Sequence, residues 1–243
     1  MVEDTKMAEG DESKETPEEK KEEETPAPLP PLEAAAQRLE RLLGGGLSDK
    51  DRMMDFYTNP VKVVRRWLGT SSGAAGDATA DDIKAAAFKL LDPAGPSAAG
   101  RQLLVSANQT MEGEPTYLSS ASAREVESWL LSLAVRLLWR DSKHAEAFEL
   151  AQKSIQIIMG HLEANSVSSL FPLLARMYRL RALVGEFIAD PAVVASVRAD
   201  MAKAHNMASL RRDVDTQATL LNCMLRDLLR CSQSKFDFAI SAF

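Results

Sequence analysis

The sequence predicts an all-α protein, an α-solenoid of TPR-like helical hairpins preceded by an acidic N-terminal tail. Three observations predict it. Beyond residue 31, apolar residues recur at three- and four-residue spacing, and no run alternates apolar and polar as a half-buried strand does. Helix starts near residues 123, 166 and 214 recur at 43–48 residues, each followed by a return helix. Charge is segregated: residues 1–26 hold eleven Asp/Glu and four Lys and carry −7, whereas the remainder carries +1. The chain therefore divides into a tail over 1–31, short helices over 32–110 and a repeat region over 121–243.

Residues 1–31 are rich in Glu, Lys, Thr and Pro and nearly devoid of large apolar side chains. Such a segment cannot offset its ordering entropy by burial, so it is expected to be disordered and dispensable for folding. It serves either as a solubilising tail or as an acidic peptide that docks on a partner.

Leu32 to Leu43 reads as a short helix ended by Gly44-Gly45-Gly46. Ser48 caps a helix through Tyr57, and Asn59 caps another with Pro60 at its first position. Val61, Val64, Trp67 and Leu68 form the buried face of that helix. Thr70 to Ala78 is small and reads as a loop. Ala80 to Leu91 is helical, with Thr79 as cap and Asp81 and Asp82 complementing the dipole. Pro93 to Pro96 breaks the chain, Leu103, Leu104 and Val105 sit in a further short helix, and Gly113 to Ser120 is a loop.

Ser122 and Glu125 have the spacing of a capping box. Behind it, Val126, Trp129, Leu130, Leu133, Leu137 and Leu138 make one apolar face, and Leu131, Val135 and Trp139 a second. A helix apolar on two sides is expected to be sandwiched. The turn Asp141-Ser142 starts a partner helix with Phe148, Ala151, Ile155 and Ile158 inward, ending near Gly160. A third helix opens at Ser166 or Ser169, Pro172 favouring the later start, with Leu173, Met177, Val184 and Phe187 on its face. Asp190-Pro191 opens a helix carrying Val194, Val197 and Met201.

The helix from about Val214 to Cys231 carries Leu220, Leu221, Met224, Leu225, Leu228 and Leu229 on one face, with Asp213 or Asp215 as its cap. Gln217 and Asn222 interrupt the seam, where amides satisfy backbone groups of a neighbouring helix. Ser232 or Ser234 begins a last helix whose Phe236, Ile240 and Phe243 share a face. That face is expected to lie exposed at the end of the solenoid and to drive self-association.

Little here suggests catalysis. His144, His161 and His205 form no metal-ligand spacing, there is no phosphate-binding glycine loop, and Asp81-Asp82 is explained by a helix start. Neither a cofactor nor a metal is expected. The near-neutral folded part lacks the basic footprint of a nucleic-acid binder. The most apolar stretch, Trp129 to Trp139, is too short to span a bilayer. Cys223 and Cys231 stand about 12 Å apart along one helix, beyond disulfide reach, and read as reduced thiols. With no leader in Met1-Val2-Glu3-Asp4, an intracellular, soluble protein is expected. Arg176, Arg179 and Arg181 read as a solvated face or as salt bridges within the stack, then as a protein contact, and last as a phosphate site. Trp129 and Trp139 read as core, and Trp67 as core or an interface anchor.

One run is specific enough to suggest a family. Leu210, Arg211, Asp213, Gln217, Ala218, Thr219, Leu220, Leu221, Asn222, Leu225 and Arg226 follow the pattern L-R-x-D-x-x-x-Q-A-T-L-L-N-x-x-L-R. This resembles the third non-ATPase regulatory subunit of the 26S proteasome. A second likeness is Asp141-Ser142-Lys143-His144-Ala145-Glu146-Ala147-Phe148. The resemblance covers residues 120–232, with a fainter likeness over 48–110. It implies a non-catalytic scaffold of the regulatory-particle lid, in cytoplasm and nucleus. Other lid subunits would be its partners, and it would bind neither nucleic acid nor membrane. The family continues into a C-terminal PCI domain ending in a winged helix, whereas this sequence stops at Phe243. Without that domain, weak binding to lid subunits, or none, is expected of this polypeptide by itself. A PCI-type scaffold of the signalosome or of the translation-initiation assembly, and a free-standing helical-repeat adaptor, are the alternatives.

Overall fold

The computed structural model describes residues 29–44, 59–105, 114–165, 167–188 and 191–241. Residues 1–28 of the tail expected over 1–31, the helix from Ser48 to Tyr57, the Asp190 cap and the side chains of Phe236, Ile240 and Phe243 lie outside the described residues. Among the described residues the fold is all helical.

Helix α1 (Pro31–Leu43) starts on a proline, which needs no hydrogen-bond partner in a first turn, and buries Leu32, Ala36 and Leu39. Helix α2 (Pro60–Thr70) is capped by Asn59, whose Oδ1 accepts the Val61 N–H at 3.0 Å. Its buried face is Val63, Val64 and Trp67, and the Trp67 indole donates to the Ala35 carbonyl of α1 at 2.8 Å. Thr70 to Ala78 is not the expected loop. Ser72–Gly76 forms a short helix, α3, packed on α1 and burying Ala75. The Ser71 backbone and hydroxyl both return to the Trp67 carbonyl, so the chain leaves α2 already turning. In helix α4 (Ala80–Leu90), Thr79 and Asp82 cap each other's backbone N–H. The Thr79 hydroxyl and then its amide hold the Asp82 carboxyl below its usual range. Helix α5 (Ala98–Leu104) follows, and the segment before the next helix runs along the end of α4 through Thr116 and Leu118.

The repeat region is α6 (Ala123–Arg140), α7 (His144–Asn165), a 3-10 turn (Ser168–Leu170), α8 (Phe171–Gly185), α9 (Pro191–Leu210) and α10 (Val214–Ser241). Helix α6 is sandwiched as its two apolar faces require, buried on every side from Glu125 to Leu133. The capping box expected at its start does not form, because the Glu125 carboxylate turns into the core and accepts the Ser169 hydroxyl. Helix α7 does not stop at Gly160. It runs on to Asn165, since one glycine costs only about 1 kcal/mol in a helix and Leu162 is buried in the next turn. Nor does a new helix begin at Ser232: α10 continues to Ser241, with no glycine or proline to stop it. Phe187 falls beyond α8 and is exposed rather than part of its inner face.

Two hairpin turns repeat one geometry. After α6, Ser142 takes a positive φ of 61°, its N–H bonds Trp139 O, and the Lys143 N–H bonds Leu138 O. After α9, Arg212 has φ 56°, its N–H bonds Ser209 O, and the Asp213 N–H bonds Ala208 O. Both are Schellman closures built without glycine.

A single apolar core runs from Leu32 to Leu220. The short helices are fastened to the repeats at several points. Trp67 meets Trp129 of α6, and Arg65 pairs with Asp215 of α10. The buried Glu127 carboxylate accepts the Gly100 N–H of α5 at 2.6 Å and lies 2.7 Å from His161 Nε2 of α7. A side chain at Gly100 would collide with that carboxylate, so three helices converge on one glycine.

Candidate interaction surface

The patterned run Leu210–Arg226 serves two purposes in the fold. Its first half closes a joint. Arg212 makes the left-handed turn, and Asp213 then caps α10 by accepting the Thr216 N–H at 3.3 Å and the Thr216 hydroxyl. Thr216 Oγ1 also lies 3.3 Å from the Phe171 carbonyl of α8. Arg211 spreads its guanidinium over the Phe171 ring, 5.4 Å from the centroid. The Gln217 amide donates to Ala208 O at 3.3 Å, as an amide beside an apolar seam should. Leu220 is completely buried.

Its second half faces outward. Leu221, Leu225, Leu228 and Leu229 are 44%, 55%, 54% and 68% exposed, so the six-residue apolar face splits after Leu220. Residues 221, 225, 228 and 229 share one helical face, which makes a continuous apolar stripe along α10. Ala218 is exposed and Leu210, at the end of α9, is 86% exposed. On the opposite flank, Thr219, Asn222 and Arg226 line a hollow of about 430 Å³ between α8 and α10 together with Arg179, Glu186 and Cys223. Arg226 grips Glu186 through two bonds of 2.6 and 3.0 Å, which closes one end of that hollow. Burial pushes the Cys223 thiol up, despite Arg179 and Arg226 nearby.

The three arginines of α8 part company. Arg181 is core: it is 1% exposed, bonds Asp200 of α9 at 2.8 Å and lies 5.2 Å from the Phe148 ring centroid. Arg176 is half-buried and Arg179 exposed, and with Arg136 of α6 they form a group of like charge. Burial first, then Arg136 and Arg179, hold the Arg176 guanidinium below its usual range. Among the described residues these three make no ion pair.

A second groove, of about 540 Å³, opens between α3, α4 and the end of α6, lined by Ile83, Arg136, Trp139, Arg140, His144 and Phe187. His144 stacks on the exposed Phe187 ring at 4.7 Å, with Trp139 6.4 Å away. Of the three tryptophans, Trp139 departs from expectation. Trp67 is core at 1% exposed, whereas Trp139 is only half-buried and open to this groove. What decides it is the position of Trp139 one residue before the end of α6, where the packed layers run out.

The histidines do not converge. His161 contacts Glu127 inside the stack, His144 stacks in the groove and His205 sits on α9. Among the described residues no three His, Cys, Asp or Glu gather as metal ligands, and no helix is long and apolar enough to cross a membrane. What the arrangement offers is surface: an apolar stripe, a lined hollow and a cationic groove on rigid helices.

A family model described as PSMD3-like, N-terminal TPR repeats matches residues 83–239. The chain belongs to this family. The match takes in most of α4, all of α5 to α9 and nearly all of α10, including the whole Leu210–Arg226 run. It identifies the helical hairpins as TPR repeats of a proteasome-subunit family and places the exposed stripe of α10 inside the family's own repeat unit. Helices α1 to α3 precede the matched stretch. Among curated proteins, none matches the chain.

Proposed function

We propose that the chain acts as a non-catalytic scaffold within the lid of the 26S proteasome regulatory particle, supporting ubiquitin-dependent degradation by holding other lid subunits. The observation that carries this reading is the leucine stripe of α10, which starts in the patterned run with Leu221 and Leu225, continues beyond it to Leu228 and Leu229 within the matched stretch, and is exposed along all four residues. Three or four leucines presented by a packed helix form a surface for another helix. Proteasome assemblies are found in cytoplasm and nucleus, and the protein is proposed to work there. Membership of a proteasome-subunit family favours this reading over a signalosome or translation-initiation scaffold.

Co-purification of the full chain with lid subunits tests the proposal. Leu225→Asp combined with Leu228→Asp should abolish capture while leaving the melting temperature unchanged. If the wild-type chain captures no lid subunit, or if the double variant binds as well as wild type, the scaffold reading through α10 fails.

A further inference from the structure

The cationic groove is not absorbed by a role for α10. Arg136 and Arg140 project from the last turns of α6, and Arg136 continues into Arg176 and Arg179 of α8. Among the described residues, Arg140 pairs only with its neighbour Asp141, at 3.8 Å, with both side chains more than half exposed. Lys143 and His144 extend the rim, against Glu146. Glu186, which lines the same hollow as Arg179, is held by Arg226. Excess positive charge in a groove with aromatic walls is a surface for an acidic chain.

The protein carries such a chain. Residues 1–26 hold −7, and five glutamates fall within 18–24. The described part begins at the right place. Pro30 and Pro31 line a hollow with Gly73 and Ala78, while Ala75, Gly76 and the same Ala78 line the arginine groove. The two hollows thus meet at Ala78, beside the short helix α3. If it behaves as a coil, a segment of 28 residues reaches on the order of 30 Å, and tethering would hold it at an effective concentration in the millimolar range.

We propose that the acidic N-terminal segment docks intramolecularly on the groove and arginine row formed by Arg136, Arg140, Arg176 and Arg179, and so shields this face. The contact is electrostatic and weakens as salt screens it.

The test uses the full chain and a fluorescent synthetic peptide of residues 1–28, read by anisotropy at low salt. Changing Glu18, Glu19, Glu22, Glu23 and Glu24 to Gln in the full chain should free the groove. That variant should bind the peptide at least ~10-fold more tightly than wild type, which its own tail blocks. Adding Arg136→Gln and Arg176→Gln should remove most of the binding, and Arg136→Lys with Arg176→Lys should preserve it. Should the glutamine pair not fold, Arg140→Gln with Arg179→Gln, both exposed, should lower the affinity instead. Equal binding by wild type and the neutral-tail variant overturns the proposal, as does binding indifferent to the arginines or none by the neutral-tail variant. If the wild-type block disappears on dilution, the occupant is the tail of a second copy, and intramolecular docking is likewise overturned.

Discussion

Trp67 of α2 and Trp129 of α6 meet edge to face, with ring centroids 4.9 Å apart and planes inclined at 61°. Each is 1% exposed. The contact joins the short N-terminal helices to the repeats through the two largest fully buried side chains among the described residues, and the Trp67 indole is also tied to α1. Trp67→Ala or Trp129→Ala should therefore cost about 3–5 kcal/mol, and Leu133→Ala about 2–5 kcal/mol. Trp139→Ala, at a half-buried position, should cost clearly less. Urea titrations would measure all four, and equal losses at Trp67 and Trp139 would contradict the burial difference.

Gly100 sits where a methyl group would meet the Glu127 carboxylate, itself completely buried. Gly100→Ala should destabilise the protein by about 1–3 kcal/mol, as overpacking does. Adding Glu127→Ala, which removes the obstacle, should make the glycine change nearly free in that background. A cycle of the two substitutions with no coupling would show that the three-helix convergence is unimportant.

Arg181 is buried against Phe148 and bonded to Asp200, which is half exposed. Arg181→Ala should cost about 2–5 kcal/mol, chiefly because it opens a cavity beside Phe148. Arg181→Met keeps most of the volume and should cost markedly less. Thermal unfolding that ranks methionine below alanine would count against this packing role.

Glu125 is buried, and burial raises its pKa above the ordinary carboxylate value, with the Ser169 hydroxyl partly opposing. Folding thus increases its proton affinity. Stability should fall as pH rises from the unfolded-state pKa, about 4.3, through the raised folded value, and the penalty is absent below the unfolded pKa. Glu125→Gln should accordingly help more at pH 7 than at pH 4. Identical differences at both pH values would show that the carboxylate titrates normally.

Ser142 and Arg212 occupy left-handed backbone that favours glycine, at φ 61° and 56°. Ser142→Gly and Arg212→Gly should each stabilise by about 0.5–1 kcal/mol, and the gains should add, since the turns are distinct. Calorimetry on the single and double variants checks both statements.

The sequence by itself determined the longer helices, the caps at Asn59 and Thr79, and the sandwiched character of α6, together with the family pattern at Leu210–Arg226. All of these are local properties, set by spacing along one helix or by a side chain bonding backbone two or three residues away. Local rules failed where a distant partner competes: Glu125 would have capped α6, but Ser169 takes its carboxylate. Periodicity likewise placed six apolar residues on one face of α10, yet only the layout of α8 and α9 decided that Leu220 is covered and Leu221, Leu225, Leu228 and Leu229 are not. The separate fates of Arg176, Arg179 and Arg181, and the meeting of Arg136 with Trp139 and Phe187 in one groove, were decided the same way. Burial and charge clustering depend on which helices become neighbours, and that is set by packing between segments far apart in the chain, which no spacing rule within one helix contains.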